Sequence, residues 1–249
     1  MALPPGDLAE IPLAVPPPKG AVDKVRLVVR KDGSLRWLSH HDLLRTFERM
    51  LRRAAIPFRR SQGFNPHPRI VFALSLPLGV VGCAEIVELE LAEPMEPDEV
   101  RARLAVQCPA GLAILSAERI AVKGGVHVVG LCYAVTVPPD RREGARARIE
   151  EILAAPECLV QREKPVRRQV DVRPFLRGLR LDPSTGRLEI DLALTPAGTA
   201  RPDEVLGLLG LPDLLALGAV LERTRLDLRE DLAAEPPPAE EDETPKGPR

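Results

Sequence analysis

Residues 24–55, KVRLVVRKDGSLRWLSHHDLLRTFERMLRRAA, carry the chain from one kind of periodicity to another. KVRLVVRK (Lys24–Lys31) is apolar in its middle and stops at the turn residues Asp32-Gly33, as a strand does. Ser39 then offers an N-cap oxygen, with Asp42 three residues on as a weak capping-box partner. Beyond it Leu43, Leu44, Phe47, Met50, Leu51 and Ala54 recur at i, i+3, i+4 spacing, which predicts a helix to about Ala55 with these six on its buried stripe. Arg45, Arg49, Arg52 and Arg53 take the opposite face, and Pro57 ends the helix.

Outward from this strand and helix the pattern continues. Strands are expected at Ile70–Leu76 and Ala84–Leu91, a helix at Pro97–Gln107 and a strand at Leu112–Ala121. After the turn Lys123-Gly124-Gly125 the order recurs. A strand is expected at Val126–Val137, a helix from Pro138 to about Ala154, short strands near Leu159–Arg162 and at Arg187–Leu194, a helix at Asp203–Leu209 and a last strand at Ala216–Leu228. Each half thus reads strand–helix–strand–strand–helix–strand, the split βαβ order. The expected class is α+β: tandem ferredoxin-like (βαββαβ) domains with antiparallel sheets, at 24–122 and 126–229.

Composition sets the limits. The 249 residues are 45% hydrophobic and 29% charged, enough apolar material for a core, which excludes a wholly disordered chain. No run approaches the ~18 apolar residues of a spanning helix, and the opening residues lack a basic n-region, so a cytoplasmic protein without membrane contact is expected. Cys83, Cys108, Cys132 and Cys158 form no CxxC pair, a pattern of reduced thiols rather than of a disulfide scaffold or zinc site. The net charge of −1 hides an asymmetry. Residues 24–80 hold twelve Lys/Arg against Asp32, Asp42 and Glu48, a net of +9, whereas residues 230–249 sum to −5. Residues 1–23 and 230–249 are proline-rich and are read as disordered tails, the second of them acidic.

The densest polar signal is Ser61-Gln62-Gly63-Phe64-Asn65-Pro66-His67-Pro68. Two X-Pro bonds restrict Asn65 and His67, so the loop has few conformations to lose while presenting Ser61, Gln62, Asn65 and His67 to a ligand. The plainer reading is a turn whose side chains bond local carbonyls. A second cluster, Leu35–Arg45, holds the one tryptophan and two of the four histidines. In the expected fold Trp37, His40, His41 and His67 converge. Three imidazoles with Asp42 would make a ligand set, but no HxH or HExxH spacing supports a metal, and none is expected.

Residues 26–80, from RLVVRKDGSLRWLSHHDL through SQGFNPHP to LSLPLGV, resemble the signature of a bacterial family of radical-SAM-linked proteins that has no assigned function. The later VDVRPFLRGL and RPDEVLGLL segments resemble it more loosely, so the likeness runs from residue 24 to about 229. It implies a domain fused behind, or encoded beside, a radical-SAM protein with a cobalamin-binding-like region, often near a ribonuclease of the E/G type. It also marks Arg36, Ser39, His40, Asp42, Arg45, Ser61, Gln62, Gly63, Asn65, Pro66 and His67 as residues of interest. The CxxxCxxC of a radical-SAM cluster is missing here, as are a P-loop, a GxSxG and a Rossmann fingerprint, which weighs against a catalytic role, and no cofactor is expected.

Three functions follow as expectations. The first is an accessory RNA-binding module, for tRNA or rRNA, acting with the radical-SAM partner. Its binding residues would be those just named together with Arg49, Arg52 and Arg53, and backbone charge would count for more than base stacking. The second is a docking module for the radical-SAM enzyme without RNA contact. The third is a metal-independent endoribonuclease, by analogy with repeat-processing CRISPR enzymes of tandem ferredoxin-like fold, in which His40 or His41 acts as base and His67 as acid.

Overall fold

A computed structural model describes residues 23–62, 66–163 and 166–229. Among these residues ten strands and four α-helices follow in order: β1 (Asp23–Lys31), α1 (His40–Arg53), β2 (Ile70–Phe72), β3 (Val81–Leu91), α2 (Pro97–Ala105), β4 (Leu112–Arg119), β5 (His127–Thr136), α3 (Arg142–Ala154), β6 (Leu159–Arg162), β7 (Arg168–Asp171), β8 (Leu176–Leu181), β9 (Arg187–Ala193), α4 (Pro202–Leu208) and β10 (Glu222–Arg229). None of the helices is long and apolar enough to cross a membrane. The expected tails lie outside the described residues, apart from Asp23. That residue is buried and opens β1, where its carboxylate accepts from Arg119 at 3.1 Å.

The strands build one eight-stranded sheet in the order β4-β1-β3-β10-β5-β9-β8, with β2 also paired to β3. Every pairing in it is antiparallel except that of β10 with β3, which is parallel and short, Val81 opposite Glu222 and Gly82 opposite Arg223. One long edge of β3 is therefore divided. Its first residues meet β10, and Val87–Leu89 meet β2. The fold is a mixed α and β arrangement dominated by antiparallel pairing.

Alternation along the strands decides which face is covered. Val25, Leu27 and Val29 of β1 and Val87, Leu89 and Leu91 of β3 share one apolar cluster with Leu43, Phe47, Met50 and Leu51 of α1 and Val100 and Leu104 of α2. A second cluster joins Leu131, Tyr133 and Val135 of β5 and Leu188, Ile190 and Leu192 of β9 to Ala145, Ile149 and Ile152 of α3 and Val205 and Leu206 of α4. In each cluster the helices cover one face of the sheet. The six-residue stripe expected on α1 is buried except for Leu44, which is half-buried, while Thr46 is buried in addition.

The join between the clusters has an apolar part, with Val80 buried in the second cluster and Ala73, Leu74, Leu76 and Ile86 packed against it, and a buried polar centre. Arg223 of β10 is 1% exposed. Its Nε donates to Glu85 of β3 at 2.9 Å, and its Nη2 also meets that carboxylate. Further bonds run to the carbonyls of Ser75 at 3.2 Å and Leu74 at 3.1 Å. Burial opposes the guanidinium charge, but Glu85 outweighs it and holds Arg223 protonated. Lys31, also buried, donates to the Leu38 carbonyl at 2.9 Å. Burial pulls its pKa below the ordinary lysine value, Glu85 opposes that shift, and Arg223 adds to it.

Two expectations need correction. Leu159–Arg162 is a strand, but it pairs with β7 in a separate hairpin rather than in the main sheet. The place expected for it beside β9 belongs to β8, for which no strand was expected. The final strand begins at Glu222 rather than Ala216, because turns fill the stretch before it.

Candidate functional site

Helix α1 sets the site. The Ser39 side chain accepts from the Asp42 amide at 3.2 Å and donates to the Asp42 carboxylate at 2.7 Å, which fixes where the helix starts and so which face its arginines take. Arg45, Arg49, Arg52 and Arg53 are all exposed. Their partners are local. Arg45 meets Asp42 at 3.5 Å, Arg52 meets Glu48 at 2.6 Å, and Arg49 donates to Thr46 at 3.2 Å. Exposed pairs of this kind hold their charges weakly, about 0.3–0.5 kcal/mol each, so an incoming anion can displace them.

Past the helix the chain turns at Ala55, at φ +50° the sole non-glycine residue with positive φ among the described residues. It then forms a hairpin beside the end of β3. Arg59 donates to the Glu90 carbonyl and Arg69 to the Arg59 carbonyl, each at 2.8 Å. The Ser61 amide donates to the His67 carbonyl at 2.8 Å, and the His67 amide donates back to the Ser61 hydroxyl at 3.0 Å. Ser61 and His67 thus close the base of the polar loop. Gln62, Pro66 and His67 are exposed; Gly63, Phe64 and Asn65 lie outside the described residues. An open cleft of about 360 Å³ lies between loop and helix, lined by Glu48, Arg52, Arg60, Pro66 and His67. The arginine row and the loop meet there.

His40 and His41 do not join them. Both are exposed at the start of α1, where the His40 ring stands edge-on to Phe72 at 5.1 Å and 5.9 Å from His41. From His40 to Glu48–Arg52 the helix rises about 12–18 Å at 1.5 Å per residue. The convergence expected of the three imidazoles is absent because the helix holds them toward opposite ends. A base and an acid that far apart do not reach one phosphate.

Arg36 and Trp37 close a short 3-10 turn, Gly33–Trp37. The Arg36 guanidinium carbon lies 5.2 Å from the Trp37 ring centroid, and the Arg36 carbonyl accepts from Gly79 at 2.9 Å. Trp37 is 62% exposed. The family of relatives is recognisable over this same ground: residues 24–202, more than half of the chain, match the model of a family described as "Uncharacterized protein conserved in bacteria (DUF2344)". The chain belongs to DUF2344. The matched span takes in the arginine row, the loop and everything up to the first residue of α4. No curated protein matches this DUF2344 chain. Among solved structures it is similar to one titled "Crystal Structure of an Unknown Protein from Galdieria sulphuraria", at 14% identity and a TM-score of 0.23, over 84% of this chain and 98% of that one.

Two further groupings in the DUF2344 chain carry no local signal in the sequence, because their members are distant along it. Cys132, Asp191 and Asp227 bring their ligand atoms within 4.8 Å of one another. A guanidinium already sits among them: Arg177 donates to Asp191 at 2.7 Å and also meets Asp227, and Arg225 holds Asp227 at 2.7 Å. The cationic place that a metal would need is taken by Arg177. On the sheet face away from α1, Lys24 at 2.6 Å and Arg26 at 2.9 Å converge on the buried Glu88. They line a cavity of about 290 Å³ with Lys123, Gly124 and Arg229.

Proposed function

We propose that this DUF2344 protein is an accessory RNA-binding module that acts with a radical-SAM/cobalamin-binding-like partner in RNA modification or processing in the cytoplasm. Its fold is read as two ferredoxin-like units. The strand orders β4-β1-β3-β2 and β10-β5-β9-β8 support that reading, each with two helices on one face and with β6–β7 inserted in the second unit. The observation that carries the RNA reading is the shared cleft: Arg52 of α1 faces Arg60, Pro66 and His67 of the hairpin across it, and Arg45, Arg49 and Arg53 extend the row on α1. Guanidinium groups in a line suit a chain of phosphates, each contact releasing counterions. The bidentate fork of arginine supplies geometry as well as charge.

A gel-shift titration of tRNA and rRNA fragments over a salt series tests it. The full chain should bind with an affinity that falls steeply as salt rises. Arg49→Glu combined with Arg53→Glu should flatten the slope by roughly 0.7 for each single-strand phosphate no longer neutralised. Unchanged affinity and slope in that variant would reduce the arginine face to an ordinary solvated surface. The separation of His40 and His41 from His67 leaves the endoribonuclease reading without its acid–base pair, and no cleavage of these RNAs is expected.

A further inference from the structure

Trp37 is the single tryptophan of the chain and the one exposed large aromatic among the described residues. It is also fixed in place. The indole lies against Gly79, where φ is +82° and an added Cβ would come within 2.8 Å of the ring, so the close approach requires glycine. The Gly79 amide bonds the Arg36 carbonyl at 2.9 Å, and the Leu38 amide bonds Leu35 at 2.9 Å. Both bonds pin the turn that carries the ring. A rigid aromatic with an open surface has little conformational entropy to lose on binding a flat partner.

We propose that Trp37 is a stacking platform for an unpaired RNA base, at the opposite end of α1 from the cleft at His67. This rests on the RNA reading above and deepens it, by assigning the ligand class as single-stranded RNA with a free base. The surroundings favour a nucleic acid over an apolar protein surface. Arg36 stands over the ring, and its buried Nε has no hydrogen-bond partner among the described residues. The exposed His40 and His41 follow it, and Arg45 begins the guanidinium row one turn later. From His40 to Arg53 the helix measures about 21 Å, which matches roughly six stacked nucleotides at 3.4 Å per strand step. A base on Trp37 and phosphates along the arginines thus form one continuous path. A duplex, whose bases are already stacked, offers nothing to the indole.

Having one tryptophan makes the site report on itself. The full chain is titrated with an oligoadenylate RNA of about eight nucleotides, a little longer than the path, and with an abasic oligonucleotide of the same length and charge. Tryptophan emission and the anisotropy of an end label are followed together. Oligoadenylate should quench the emission along the same isotherm as the anisotropy, and the abasic strand should bind more weakly without quenching. Trp37→Ala should lose roughly ten-fold in affinity for oligoadenylate and nothing for the abasic strand, while Trp37→Phe keeps most of the affinity. Quenching in the unaltered chain needs no variant to fold.

Salt-dependent binding of both strands with unmoved emission, and with Trp37→Ala binding like the unaltered chain, would overturn the platform and leave the RNA reading standing. Binding of neither strand would end both. Unaltered RNA binding by Trp37→Ala, with loss of capture by the radical-SAM partner, would make Trp37 a protein anchor and likewise overturn the proposal.

Discussion

At the scale of single residues, Asp182 gives the clearest acid-sensitive contact. Its Oδ1 accepts from the Ser184 amide at 2.8 Å, the Ser184 hydroxyl at 2.6 Å and the Thr185 amide at 3.3 Å. These bonds, the Ser184 hydroxyl first, hold the carboxyl down at about 2 against an ordinary 3.8. The unfolded chain therefore binds the proton more readily than the native one between those two values. The stabilising contribution is complete above the unfolded value and fades as the pH falls through the native one. Asp182→Asn should flatten the acid limb of a thermal-melt series in that window while leaving the neutral region parallel to the unaltered chain.

Among elements, α1 connects stability to the site, since one helix carries both the apolar stripe of the first cluster and the arginine row. Ser39→Ala removes the cap that sets its start and should cost about 1 kcal/mol in denaturant melts. Phe47→Ala, opening a void beneath the row, should cost about 3–5 kcal/mol. This helix was legible in the sequence because cap, period and stop agree; the cleft beside it depends on how the hairpin folds back toward Arg52, which no local pattern announces. The strand β8 was not legible either. LRGLRL mixes glycine and two arginines into six residues, and its claim to be a strand comes from pairing with β9 rather than from local preference. LVQR at 159–162 has better local preference and so drew the assignment away. The imidazoles misled in the same way. His40 and His41 are drawn toward the loop by counting along the chain, while a rigid helix of fourteen residues holds them apart.

Over the whole molecule, the join between the two apolar clusters rests on a few groups. It has two residue pairs between β3 and β10, Val80, Ala73, Leu74, Leu76 and Ile86 packed on the second cluster, and the buried Arg223–Glu85 pair. Nothing in the local sequence announces that pair, since its members are 138 positions apart. Arg223→Ala leaves Glu85 buried without its cation and strands the Leu74 and Ser75 carbonyls, a loss of about 3–5 kcal/mol. It should also split a single unfolding transition into two, seen as non-coincident circular-dichroism and tryptophan-emission curves, because Trp37 belongs to the first half alone. Replacing Glu85 and Arg223 together with apolar residues of like volume removes the orphaned carboxylate and should restore part of the stability, while the buried Lys31 loses the carboxylate that supports its charge.

Lys24, the second residue of β1, and Arg229, the last of β10, line the same small cavity. The described chain thus enters and leaves the sheet at neighbouring points. A body whose entry and exit lie side by side can be spliced into a surface loop of a larger enzyme, or hung from its end, without being stretched open.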